Sequence, residues 1–501
     1  MISRRGFLHQ SMITGSGFLL PRQLLAQGNR ETELRIPPEL LGERRGDQLH
    51  YDLEAQTGNS RFFADLQTPT IGFNGSYLGP TLRLRDGNDV SINVSNRLGE
   101  PTTVHWHGLH VPASADGGPH QLIEDGRSWS AQFTVRQNAG PFWYHSHLVD
   151  RTGEQVYRGL SGMLIVDDAE STGLELPSEY GVDDIPLIIQ DRRFNADGSF
   201  QYVSSHRDIM MGMHGDRLLV NGTLNPYFVP RTRKVRFRLL NGSNARTYNI
   251  AFSDGRSFEQ LGCDGGFLSQ PLPMTVLTLA PAERCEIVVD FSDGAPVNMV
   301  SLPMAADSPN RMQNMMGRRM GFDNDSFQVL SIRPQSGLAP SPELPIRLTE
   351  VADFESVGID RERRFELSMA MGRGMMAGGR GGGRGQRSSD QFFINGTTMH
   401  MAAINVRVPI GSTEIWEIHN QSPMMHPFHI HHGQFQLLTR NGRPPHAHER
   451  AYKDTVKVGP GETVRVVMEF LHYSDPDVPY MYHCHILEHE DNGMMGQFLV
   501  E

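Results

Sequence analysis

One strand motif, written three times, constrains this 501-residue chain more than any other feature. FNGSYLGPTLRLRDGNDVSINVSN begins at Phe73, LVNGTLNPYFVPRTRKVRFRLLN at Leu219, and FFINGTTMHMAAINVRVPIGSTEIWEIHN at Phe392. Each copy has an Asn-Gly turn, an alternating strand, a polar turn and a second strand that stops at asparagine (Asn96, Asn241, Asn420). In the first copy Leu82 and Leu84 alternate with arginines, and Val90, Ile92 and Val94 alternate again beyond the turn at Asp86 to Asp89. That pattern predicts a half-buried hairpin. The Asn-Gly pairs begin at 74, 221 and 395, about one domain length apart, so an all-β chain of three β-sandwich domains is expected. A chain of this length exceeds what one hydrophobic core supports.

Copies one and three agree further. YHSHLVD at Tyr144 parallels YHCHILE at Tyr482, and VHWHGLHV at Val104 parallels FHIHHGQF at Phe428. The matching place in the middle copy, TYNIAF from Thr247, has no histidine. The middle domain is therefore expected to keep the fold without ligands. The expected divisions are 1–27, 45–170, 180–335 and 345–501, with an insert at 369–387. Its Gly/Arg/Met-rich part, 372–387, cannot pack a core and is expected to be a mobile loop.

The ends and the charge narrow the setting. SRRGFLHQSMITGSGFLLPRQLLAQ, with Arg4 and Arg5 ahead of Phe7 and Leu8, reads as a twin-arginine export signal ending near residue 27. It is too short and too polar to span a membrane. The expectation is a periplasmic monomer, exported already folded by the twin-arginine translocase and without stable membrane insertion. A net charge of -11 argues against a nucleic-acid surface. Three cysteines make no disulfide scaffold, although Cys263 and Cys285 could form one bridge or stay as two thiols.

Histidine placement carries the chemistry. On a strand, residues i and i+2 share a face, so a His-x-His pair presents two imidazoles side by side. There are four such pairs: His105 with His107, His145 with His147, His429 with His431, and His483 with His485. Cys484 lies between the last two, so its sulfur must leave the strand on the opposite side and serve a different metal. A thiolate with two imidazoles and a weak thioether makes a blue-copper centre, and His426, His489 and Met494 complete that set. The pairs, split between the first and third domains, imply a metal cluster at their seam.

HWHG, HSH, HPFHIH and HCHILEHEDNGM together resemble the multicopper oxidases, over the chain from about residue 50 to its C-terminus. The resemblance implies three cupredoxin-like Greek-key sandwiches and four copper ions. It places type 1 copper on His426, Cys484, His489 and Met494, and type 2 copper on His105 and His429. The type 3 pair falls on His107, His145, His147, His431, His483 and His485. Asp116 and Glu490 match the family's acids that feed protons to dioxygen. The C-terminal motifs look most like the bacterial copper efflux oxidases, which oxidise Cu(I) for copper detoxification and carry a methionine-rich insert with a further copper site. Met369, Met371, Met375 and Met376 lie in the corresponding insert, and Met424 precedes His426, so Met369 and Met424 are the candidates for a substrate copper. Gly374 and Ser422 stand where that site's acids are expected. The alternative reductants are small phenols or aromatic amines, as in laccases. A second alternative is a non-catalytic copper-binding or cell-division scaffold on this fold.

Overall fold

The computed structural model describes residues 31–303, 326–352, 358–370 and 391–501. The export signal, the 372–387 segment, Met371, Gly374, Met375 and Met376 lie outside the described residues. Among the described residues no helix is long and apolar enough to cross a membrane.

The chain folds into three pairs of β-sheets. The first pair spans Glu39–Leu41 to Ser161–Asp167, and each of its sheets has five strands. The second pairs a seven-stranded sheet with a six-stranded one. An N-terminal strand, Thr32–Glu33, leaves the first unit to pair in parallel with Pro226 and Tyr227 of the second. The third pair has five strands in each sheet. Each unit closes over its own apolar core, built around Trp106 in the first, Phe237 in the second and Trp416 in the third.

The three copies of the motif do the same structural work. Asn74, Asn221 and Asn395 all adopt positive φ (53°, 50° and 53°). Each carboxamide then bridges a neighbouring strand, accepting from Glu54, Ile188 and Glu366 N–H at 2.6, 2.8 and 2.7 Å. The asparagines that end the second strands are fully buried. Asn96, Asn241 and Asn420 each donate to two carbonyls and accept one N–H two residues on. A buried carboxamide with its partners supplied on both sides fixes where the strand turns.

The expected hairpin is not one. Thr81–Arg85 pairs with Glu39–Leu41 and Ser161–Asp167, whereas Asp89–Arg97 pairs with Gln48–Phe63 and Ser128–Thr134. The turn between them crosses from one sheet of the sandwich to the other. Alternation reports which face of a strand is buried and says nothing of which strand lies beside it.

The third unit is tied down next to its metal-facing strands by Arg440 and Glu449, whose guanidinium and carboxylate meet at 2.6 and 3.1 Å. Burial would raise the Glu449 carboxyl, but Arg440 outweighs it and holds the group at about 2, against an ordinary 4.5. A depressed carboxyl stabilises the fold above its unfolded value and loses that contribution as pH falls through the folded value. Thermal melts from neutral to acid pH should show wild type more stable than Glu449→Gln by roughly 3 kcal/mol above pH 4.5, the gap closing towards pH 2.

Candidate metal centre

Four short elements deliver the paired histidines. Strand His105–His107 lies antiparallel to Gly140–His145, with His105 opposite His145. Strand His426–Ile430 lies antiparallel to Asp475–Cys484, with His429 opposite His483 and Phe428 opposite Cys484. The two strand pairs, one from the first unit and one from the third, face each other across the seam. His105 stacks on His431 at 3.8 Å between ring centres, and His107 on His429 at 3.7 Å. All eight imidazoles are buried.

Their nitrogens converge in three sets, within each of which the ligand atoms lie within 4.8 Å of one another. His107, His145 and His485 form one, His147, His431 and His483 another, and His429 joins His105 and His107 in the third. His147 Nε2 and His431 Nε2 approach His483 Nε2 at 3.2 and 3.3 Å, and His145 Nε2 approaches His107 Nδ1 at 3.4 Å. The Nε2 atoms of His105 and His429 are buried with no hydrogen-bond partner, as are both ring nitrogens of His485. Lone pairs collected in this way, without partners, fit a group of metal ions.

The opposite nitrogens are held. His431 Nδ1 donates to Asp116 Oδ2 at 2.7 Å, and His105 Nδ1 donates to the Asp116 carbonyl at 2.9 Å. Gly117, at φ 77°, permits this approach, since a Cβ there would collide with the Val104 carbonyl. Glu490 places its two oxygens 3.3 Å from His147 Nδ1 and 3.1 Å from His483 Nδ1. Burial would raise the Glu490 carboxyl, but the two imidazoles it faces win and hold it below the usual carboxylate range. Asp116 and Glu490 are both buried. Each bridges two of the clustered histidines.

His107 is turned the other way, with Nδ1 inward. Its Nε2 donates to Asp454 Oδ1 at 3.0 Å, and His429 Nδ1 donates to the Asp454 carbonyl at 2.8 Å. Asp454, in the run KDTVKV, belongs to none of the histidine motifs. Nothing in its spacing distinguishes a carboxylate aimed at His107, 347 residues away, from an ordinary strand-entry aspartate.

The second centre lies on the other face of strand Asp475–Cys484. Cys484 Sγ is 3.3 Å from His426 Nδ1 and 3.7 Å from His489 Nδ1, and those two nitrogens are 3.3 Å apart. The Met494 side chain is buried in the same core, and its carbonyl accepts from Cys484 N–H at 3.0 Å. Burial pushes the Cys484 thiol up and the imidazoles down, His426 to about 3. Neutral imidazoles can ligate at once, whereas a metal must displace the proton from the thiol. Ser422 Oγ lies 2.6 Å from His426 Nε2, so it is committed to a ligand histidine. Met369 and Met424 are half-buried against this core, alongside Met210 of the middle unit, whose carbonyl accepts from His489 Nε2 at 3.2 Å.

Helix Leu487–Asp491, which carries His489 and Glu490, is gripped by all three units. Glu488 accepts from Asn244 Nδ2 at 2.8 Å and from Met213 N–H at 2.9 Å in the second unit. Asp491 accepts from the Thr152 and Gly153 N–H groups at 2.8 Å, at the start of helix Thr152–Arg158 in the first unit. Cys263 and Cys285 remain buried free thiols.

Known proteins resemble this chain. The multicopper oxidase family pattern matches residues 54–171 and 382–501. A multicopper oxidase of Staphylococcus haemolyticus is 35% identical over 95% of this chain and 93% of its own length. The cell division protein FtsP of Pectobacterium atrosepticum is 35% identical over 100% of this chain and 99% of its own. A crystallised laccase-like multi-copper oxidase from Ochrobactrum sp., described as oxidising lignin model compounds and lignosulfonate, superposes with TM-score 0.81 at 34% identity, covering 93% of this chain and 100% of that one. With cupredoxin-like sandwiches, clustered imidazoles and these relatives, the chain belongs to the multicopper oxidase family.

Proposed function

We propose that this protein is a periplasmic oxidase that takes electrons one at a time from Cu(I) and uses four of them, with four protons, to convert dioxygen to two waters. One observation carries the reading. Cys484 Sγ sits with His426 and His489, while His483 and His485 on either side of it fall into two different imidazole sets. A few covalent bonds therefore join the single-thiolate centre to two members of the cluster.

The proposed ligands are His426, Cys484, His489 and Met494 for a type 1 copper, His105 and His429 for type 2, and two triads for the type 3 pair. The triads are His107, His145, His485 and His147, His431, His483. Bound copper would supply reversible one-electron storage. The protein supplies the rest. Buried imidazoles would hold the ions, the seam keeps bulk water from the cluster, and Asp116 Oδ1 and Glu490, buried beside it, deliver protons.

Half-buried Met369 and Met424, packed against the core that contains Cys484 and Met494, support Cu(I) as reductant, because thioethers suit that ion. Phenols are the second reading, favoured by the similarity to the lignin-active oxidase and by Ser422 standing where an acid is expected. The complete ligand set favours an oxidase over a non-catalytic cell-division role.

Cys484→Ser should lose the blue absorption and bring oxygen uptake down to background, while metal analysis still finds copper on the eight imidazoles. Full activity in that variant would remove the type 1 assignment. Glu490→Gln and Asp116→Asn should each lower the oxygen-reduction rate roughly ten- to a hundredfold with the blue centre intact, as measured by reoxidation of the pre-reduced protein. A joint Met369→Leu and Met424→Leu variant should raise KM for Cu(I) and leave phenol oxidation unchanged. Equal losses with both substrates would point to phenols or to simple damage.

A further inference from the structure

We infer that Arg284, from the middle unit that contributes no metal ligand, is a positioning residue for the imidazole cluster, holding Asp454 so that His107 presents Nδ1 and not Nε2 to the metal. The inference rests on the copper reading of the eight imidazoles.

Arg284 is buried, and all five of its guanidinium N–H groups are used. Nε donates to the Pro141 carbonyl in the first unit at 3.0 Å. Nη1 donates to the Ala282 carbonyl at 3.1 Å and to Asp454 Oδ1 at 2.7 Å. Nη2 donates to the Asp264 carbonyl at 3.0 Å and to Asp454 Oδ2. The fork thus grips both Asp454 oxygens while its other donors are anchored in the first and second units. Such a bidentate grip sets direction as well as charge.

The gripped carboxylate makes one hydrogen bond to the cluster, with His429 Nδ1 farther off at 3.7 Å. Asp454 Oδ1 accepts from His107 Nε2 at 3.0 Å, and Thr455 Oγ1 stands 3.1 Å from the same nitrogen. Holding the proton on Nε2 leaves the lone pair on Nδ1, which is the atom that converges with His145 and His485. Among the eight imidazoles, His107 is the one shown to face inward through Nδ1 while its Nε2 is held outward, so its tautomer needs a dedicated partner. Space is reserved for the grip. Gly108, next to His107, has φ 88°, and a Cβ there would land on Asp454 Oδ2 and come within 2.9 Å of Arg284 Nη2. The glycine of HWHG is thereby explained by an ion pair belonging to the other two units.

A neighbouring ion pair provides the control. Lys453 Nζ joins Asp264 at 2.8 Å and Glu283 at 3.3 Å across the same seam, equally buried, without reaching a histidine. The experiment measures copper per chain after dialysis against a chelator, the EPR-silent share of that copper, the blue absorbance and the melting temperature of the copper-free protein, in wild type, Arg284→Met, Arg284→Lys and Lys453→Met. Arg284→Met should keep the blue centre, hold cluster copper roughly ten- to a hundredfold more weakly and lose the EPR-silent share. Arg284→Lys, keeping charge without the fork, should fall between. Lys453→Met should lower the melting temperature and retain its cluster copper. Undiminished cluster loading in Arg284→Met would overturn the inference, as would equal copper loss in Lys453→Met. Unfolding of both arginine variants would also overturn it, by assigning Arg284 to folding alone. A wild type without cluster copper would instead refute the oxidase reading, and this inference with it.

Discussion

The two-residue period of a β-strand governs this molecule. Within His483-Cys484-His485 the backbone sends the sulfur to one side and two imidazoles to the other, so one strand serves two centres. The antiparallel partner applies the same rule, since Phe428 opposite Cys484 fills the core while His429 opposite His483 joins the cluster. Neither centre could shift by one residue without exchanging its strand-borne ligands for core side chains.

That rule leaves the cluster split between two units, and the cost is an interface crowded with buried polar groups. Unpaired, such groups are expensive, and several of them find a partner across the seam. Asp116 of the first unit reaches His431 of the third, and Asp454 of the third reaches His107 of the first. The middle unit, which has no ligands, locks the other two through Arg284, Asn244 and the Met213 amide. Its retention of the sandwich without His-x-His pairs is explained by this clamping.

Much of this was legible in one dimension. Strand alternation gave the sandwich class, the three asparagine pairs gave the repeat, and the His-x-His spacing gave the opposition of sulfur and imidazole, because all are local consequences of backbone geometry. Pairing partners were not legible. The Leu82 and Val90 strands belong to different sheets, since the alternation that marks a buried face is identical in either arrangement. Asp454 and Arg284 were missed for a related reason, as neither sits in a ligand motif and their meaning lies in contacts 347 and 170 residues away.

By itself the amino-acid sequence determined the ligand types, their faces and the family. Only the tertiary structure decided which three imidazoles converge on which point, which nitrogen of each faces inward, and which carboxylates fix that choice. A strand's period is written in its neighbours along the chain, whereas convergence is a property of how three separate cores dock.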